Sequence, residues 1–120
     1  MAAHNELGEL GEGLAVEMLG RKGYDILERN WVFGKEEIDI IAIHEGVLVI
    51  VEVKTRNSDY FGPPEQAVSK AKQNHLIRAA NAYVRKYDLD FEVRFDVVGV
   101  ILNAKEERLN HIEGAFQPSW

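Results

Sequence analysis

Apolar positions along the chain switch between helical and strand spacing. Across residues 5–22, Leu7, Leu10, Leu14 and Met18 recur at helical spacing, which predicts a helix capped by Asn5. Glu6, Glu9 and Glu17 gather on its solvated side. Glu12 falls instead with Gly8, Val16 and Leu19 on a second, partly apolar strip, at about 100° per residue. Gly8 and Gly11 remove side-chain bulk and so imply close packing. Gly23 ends the helix. Residues 24–32 read as a strand, and Gly34 marks the next turn.

Residues 37–43 and 47–54 are Val- and Ile-rich β segments. Gly62-Pro63-Pro64 stops at a helix start, and Leu76, Ala79, Ala80, Tyr83 and Tyr87 form one stripe of a long helix over 65–87. Residues 93–102 and 109–112 read as two final strands. The order is α-β-β-β-α-β-β: one α/β domain over residues 1–120, its core within about 5–116, with helices against a mixed sheet. There are no repeats and no linkers.

The two β segments are separated by His44-Glu45-Gly46. A two-residue turn at Glu45-Gly46 makes residues whose numbers sum to 91 face each other. Asp39 then lies opposite Glu52 and Glu37 opposite Lys54, all four on one side of the sheet. Opposed Cβ atoms would stand roughly 5 Å apart, and Glu52 and Lys54 about 7 Å apart along their strand. Ile41, Ile43, Leu48 and Ile50 share that side, whereas Ile38, Ile40, Val49, Val51 and Val53 fill the other. Strands apolar on both faces belong inside a covered sheet.

Two carboxylates at the end of a buried face repel each other and lose hydration, unless something compensates. A hard divalent cation, Mg²⁺ or Mn²⁺, does so directly, and it takes one or two carboxylates plus waters and a phosphate oxygen. Such an ion acidifies its water and offsets charge on a phosphate. Lys54 would orient or deprotonate that water, or neutralise the phosphate. The competing expectation is a salt-bridged strand end, with Asp39 and Glu52 capped by Lys54 and Arg56.

Lys72 lies near Leu76 on the apolar stripe, with Gln73 beside it. Lys72 either snorkels to water or joins Gln73 at the substrate phosphate or metal-bound water. Lys70 and Arg78 lie further round and suit backbone phosphates, as does Arg56. Glu12 would either complete the metal shell or serve in a cap or ion pair. Asp96 pairs locally with Arg94. Trp31 belongs to the core, with stacking on a base as the alternative, and Trp120 to the tail. His4, His44, His75 and His111 show no ligand spacing, which argues against zinc.

Composition narrows the picture. The chain has 46% hydrophobic and 28% charged residues and no cysteine, so disulfides and cysteine-ligated zinc are excluded. Neither a leader nor a bilayer-spanning run is expected, and a cytoplasmic location follows by default. The net charge of −6 argues against a protein that coats nucleic acid. Its distribution is uneven: residues 54–86 hold 7 basic and 2 acidic side chains, an island of +5 that begins at Lys54. A solvated helix face would produce the same island.

Several separate motifs follow one another along the chain. They are Gly8-x-x-Gly11-Glu12-x-x-Ala15, Gly23-Tyr24, Asn30-Trp31, Glu37-Ile38-Asp39-Ile40-Ile41-Ala42, Val51-Glu52-Val53-Lys54-Thr55-Arg56, Lys72-Gln73 and Arg94-Phe95-Asp96-Val97-Val98. In this order they resemble the YraN-like uncharacterised protein family, from Glu6 to about Phe116. That family is similar to the restriction-endonuclease fold, notably archaeal Holliday-junction resolvases, whose signature is Glu, then Asp, then Glu-x-Lys. The resemblance implies a restriction-endonuclease-like fold and a catalytic set of Glu12, Asp39, Glu52 and Lys54, with Mg²⁺ held by the acids. Glu36 stands where the family commonly has Gly. The expectation is a metal-dependent nuclease on nucleic acid, DNA first, possessing no membrane contact and dimeric if it cuts two strands. The alternative is a non-catalytic nucleic-acid or protein-binding module that retains the fold.

Overall fold

Apolar runs on both sides of the central strands require two covering layers, and the chain supplies one helix for each. The structure, a computed structural model, describes residues 6–60 and 62–118. Helix α1 (Glu6–Arg21) leads into β1 (Asp25–Phe33), β2 (Glu36–His44) and β3 (Val47–Arg56). A 3-10 turn (Pro64–Gln66) precedes α2 (Lys70–Lys86), which is followed by β4 (Glu92–Leu102) and β5 (Glu107–Phe116). The five strands form one sheet in chain order. All neighbours are antiparallel except β3 and β4, which run parallel. A parallel pair needs a crossover, and α2 provides it.

Helix α1 covers one face, where Ala15 and Leu19 meet Ile40, Ala42, Val49, Val51, Val98 and Val100. Helix α2 covers the other, with Leu76, Ala79, Ala80 and Tyr83 against Ile38, Ile41, Leu48, Ile50 and Phe95. The predicted order and mixed sheet are therefore the observed ones. No helix among the described residues is long and apolar enough to cross a membrane.

Three local expectations are corrected. The buried side of α1 is Gly11, Glu12, Ala15 and Leu19, and Leu10 is 59% exposed. The reason is steric. A Cβ at Gly11 would overlap the side chain of Thr55 on β3, so α1 docks through its small residues and turns Leu10 outward. This rotation carries Glu12 inward. Second, the helix expected over 65–87 is divided. Ser69 caps α2, its hydroxyl accepting from Lys72 N at 3.1 Å, and the Gln73 amide donates to Val68 O at 3.2 Å. Tyr87 is the exposed C-cap of α2 rather than part of its buried stripe. Third, β5 is a ten-residue strand, longer than the 109–112 expected, because it pairs along most of β4. Asn5, His4 and Trp120 lie outside the described residues.

Asp96 does pair with Arg94, but within a larger network. It is 1% exposed and sits where the β4–β5 register shifts. Its carboxylate accepts from Arg94 Nε at 2.9 Å and Nη2 at 3.0 Å, and from Gly114 N at 3.0 Å, and it lies 2.7 Å from His111 Nε2. Burial alone would raise this carboxyl, but bonds from His111, Arg94 and Gly114 outweigh it and hold it below the usual range. Asp96 thus replaces the ladder partners that the irregularity removes. It sits on the α1 side, away from Glu52.

The Gly11–Thr55 contact sets the depth of α1 on the sheet. Gly11→Ala is expected to destabilise the chain by about 1–3 kcal/mol, the usual penalty for overpacking, despite alanine's better helix propensity. Urea unfolding measures it, and equal or greater stability would show that α1 is not held at this contact.

Candidate metal centre

The β2–β3 hairpin closes at Glu45 (φ +51) and Gly46 (φ +79), the left-handed pair of a two-residue turn. From His44↔Val47 to Ile40↔Val51 every pair of residue numbers sums to 91, the register read from the sequence. There the ladder stops. Asp39 follows next, and Val53 N donates to its Oδ2 at 2.8 Å. A carboxylate stands in for a backbone carbonyl at the point where the strands part.

Both edge-side strands change face at this level. Ile40 packs towards α1, whereas Ile38 and Ile41 pack towards α2. On β1, Glu28 and Trp31 reach Tyr83 of α2, while Arg29 and Asn30 both reach Glu12 of α1. Asn30 has φ +53, a left-handed conformation that Asn tolerates better than most residues. Strict alternation therefore fails at one place. Ile38 joins the set opposite to the one expected, and Glu37 lines a shallow cavity of about 340 Å³ with Glu9, Glu12, Arg29 and Asn30.

Asp39 and Glu52 meet where the β2–β3 ladder stops. Burial first, then the charge of Glu52, push the Asp39 carboxyl well above the ordinary range, and the bond from Val53 offsets only part of this. Burial also raises Glu52, against the charges of Lys72 and Lys54 and the contact with Asp39. Glu52 is 4% exposed, and its Oε1 is buried with no hydrogen-bond donor. With both carboxyls ionised, that oxygen is an acceptor left bare, a costly arrangement. A proton shared by the pair satisfies it. A hard divalent cation would do so as well, and the all-oxygen donor set suits one.

The lysines converge here from two elements. Lys72 Nζ, in the first turn of α2, stands 3.9 Å from Glu52 Oε2, and Lys54 follows Glu52 on the same face of β3. The other predicted residues are placed elsewhere. Glu12 is buried, 3.3 Å from Arg29 and accepting from Asn30 at 3.0 Å. Among the described residues, no group of three or more His, Asp or Glu side chains is disposed to hold a cation. Gln73 lines a groove of about 380 Å³ beside Gln66, Val97 and Asn110. Arg78 binds Glu36 at 2.8 Å, and Arg56 and Lys70 are exposed. Glu12 thus takes the ion-pair role that the sequence left open, but Arg29 and Asn30 as its partners were missed. Their one signal was an Asn inside a strand of otherwise β-compatible residues.

A carboxyl raised by folding binds its proton more tightly in the folded than in the unfolded chain. Its contribution to stability is present below the ordinary value of 3.8 and is lost as pH rises from there through the raised one. Asp39→Asn keeps the acceptor for Val53 N, removes one charge and offers an amide donor to Glu52. Without metal, this variant is expected to melt roughly 3–6 °C above the parent at about pH 7, a gain of about 1 kcal/mol. The gain should fade towards about pH 3, where both carboxyls are protonated. A lower melting temperature at neutral pH would contradict the assignment.

The sequence profile described as "Uncharacterised protein family UPF0102" matches residues 11–100. A UPF0102 protein of Flavobacterium psychrophilum is 55% identical over 116 residues, covering 97% of this chain and 98% of the relative. One from Bacteroides thetaiotaomicron is 48% identical over 118 residues, covering 98% of each. The matched region contains Glu12, Asp39, Glu52, Lys54 and Lys72, so the whole opening lies within what these proteins share in length. The chain belongs to the uncharacterised protein family UPF0102.

Proposed function

We propose that this chain is a Mg²⁺- or Mn²⁺-dependent nuclease that hydrolyses phosphodiester bonds, with DNA as its substrate. The observation that carries this reading is the buried Asp39–Glu52 pair, whose Glu52 Oε1 lacks a donor, flanked by Lys72 and Lys54. Asp39 and Glu52 would hold the cation. When bound, it supplies Lewis acidity at the phosphate and acidifies water. Lys54 would orient the attacking water or neutralise charge on the phosphate, while Lys72 would hold Glu52 and face the phosphate. Glu12, held on the α1 side by Arg29 and Asn30, would complete the cation's shell.

Arg56, Lys70 and Arg78, with the amide of Gln73, would contact backbone phosphates. Gln73 would exchange its present partner, Val68 O, for phosphate, whereas Arg78 would keep Glu36 and offer its remaining donors. The resemblance to restriction-endonuclease-fold resolvases supports branched or processed DNA, as met in repair or recombination, and two-strand cutting would take a homodimer. A cytoplasmic site of action suits such a role. A second reading is a binding module that retains the fold without catalysis. It is favoured by the lack of a third carboxylate at the pair among the described residues and by the net charge of −6.

The test is a panel of duplex, single-stranded, flapped and four-way DNA and RNA with Mg²⁺ or Mn²⁺, run beside Glu52→Ala and Lys54→Ala. Cleavage by the parent should fall at least about 100-fold in each variant, the scale of losing a charge-stabilising group. Binding without cleavage across the panel supports the module instead. Cleavage undiminished in both variants refutes the site.

A further inference from the structure

The β1–β2 hairpin turns at Gly34 (φ +63) and feeds directly into Glu36, Glu37 and Asp39. Trp31, on its α2 side, is fixed by Tyr83, whose ring stands edge-on to it at 5.1 Å and 86°. The Phe33 ring lies parallel to Trp31, with centroids 6.4 Å apart and planes within 2°. Phe33 is 47% exposed. It is a flat aromatic ring in water, backed by an indole held in place from behind.

The surroundings favour a nucleotide over an apolar partner. Val32 is also exposed, but alternation turns it to the other side of the ribbon. The two therefore do not merge into the contiguous apolar patch that a protein partner would use. The direct cross-strand partner of Phe33 is Glu36, which carries the guanidinium of Arg78 at 2.8 Å. That guanidinium is more than half exposed and has five N–H donors, so it retains several for a phosphate. A ring for a base and a cation for its phosphate thus lie side by side on the hairpin whose second strand carries Asp39. In a duplex, both faces of each base are already covered by stacked neighbours.

We propose that Phe33, backed by Trp31, is a stacking platform for an unpaired base, so that nucleic acid reaches the Asp39–Glu52 pair through a single-stranded segment or frayed end. The proposal rests on the nuclease reading above and specifies its substrate class.

Binding is measured by anisotropy in EDTA, with labelled oligothymidine of about twelve nucleotides, a strand of equal length carrying abasic sites, and a duplex. The parent binds the base-bearing strand more tightly than the other two. Phe33→Ala weakens oligothymidine about tenfold, or ~1.4 kcal/mol, and leaves abasic binding and the salt slope unchanged, because no phosphate contact is lost. Phe33→Trp retains the preference. Phe33 is exposed, and an unchanged melting curve verifies folding. Equal affinity of parent and Phe33→Ala for oligothymidine overturns the platform, as does an equal loss on the abasic strand. Unchanged oligonucleotide binding with loss of self-association would assign Phe33 to contacts between copies and also overturn it. If Phe33→Ala still cleaves DNA at the parent rate with unchanged single-strand binding, the platform alone fails and the nuclease reading stands. A parent that binds no nucleic acid defeats both.

Discussion

The bond from Val53 N to the Asp39 carboxylate is the constraint on which the candidate centre depends. Two strands that stayed paired would bury their backbone groups against each other and leave no opening. Two strands that parted freely would expose unpaired amides and carbonyls inside the fold. A carboxylate that accepts one of those amides allows the strands to diverge while keeping the divergence fixed. The same carboxylate then faces Glu52, so the group that shapes the opening also supplies half of its charge. Its raised pKa follows from that double use: the position is set by backbone geometry, and the burial and repulsion come with it.

The remaining parts hold this opening from three directions. On the α1 side, Gly11 lets the helix sit flat on Thr55 and carries Glu12 down to Arg29 and Asn30. On the α2 side, the Ser69 cap starts the helix where Lys72 meets Glu52 from its first turn. The parallel pairing of β3 and β4 continues past the point where β2 parts from β3, and it sets Val97 beside Glu52. Asp96 performs at the β4–β5 irregularity a service similar to that of Asp39, with its carboxylate replacing missing backbone partners. There, however, Arg94 and His111 satisfy every demand, and the carboxyl is held low rather than raised. The contrast is physical. A buried acid supplied with enough donors is a fastener, whereas Asp39, with one backbone donor and a second acid beside it, is held high.

Much of this is legible in the residues. The Glu45-Gly46 turn dictates the register, and period-two alternation then brings Asp39 and Glu52 to one level. Element order follows from apolar spacing. The errors share a cause. Leu10 reads as buried because spacing identifies an apolar face but not how closely a neighbour can approach, and Gly11 decides that. Ile38 and Glu37 are assigned to the wrong sides because alternation presumes a regular strand, and β2 changes face between Ile38 and Ile40. The Glu36–Arg78 pair and the Asp96–His111 bond join residues 42 and 15 positions apart, separations at which local pattern carries no information.

If the acid pair holds one proton between its carboxyls and a cation displaces it, metal binding must release that proton to the buffer. Calorimetric titration of Mn²⁺ into the metal-free chain at about pH 5, in two buffers of different ionisation enthalpy, reads the release directly. The account predicts binding with release of about one proton per cation, abolished by both Asp39→Asn and Glu52→Gln. Absence of binding, binding without proton release, or binding that survives both substitutions would contradict it.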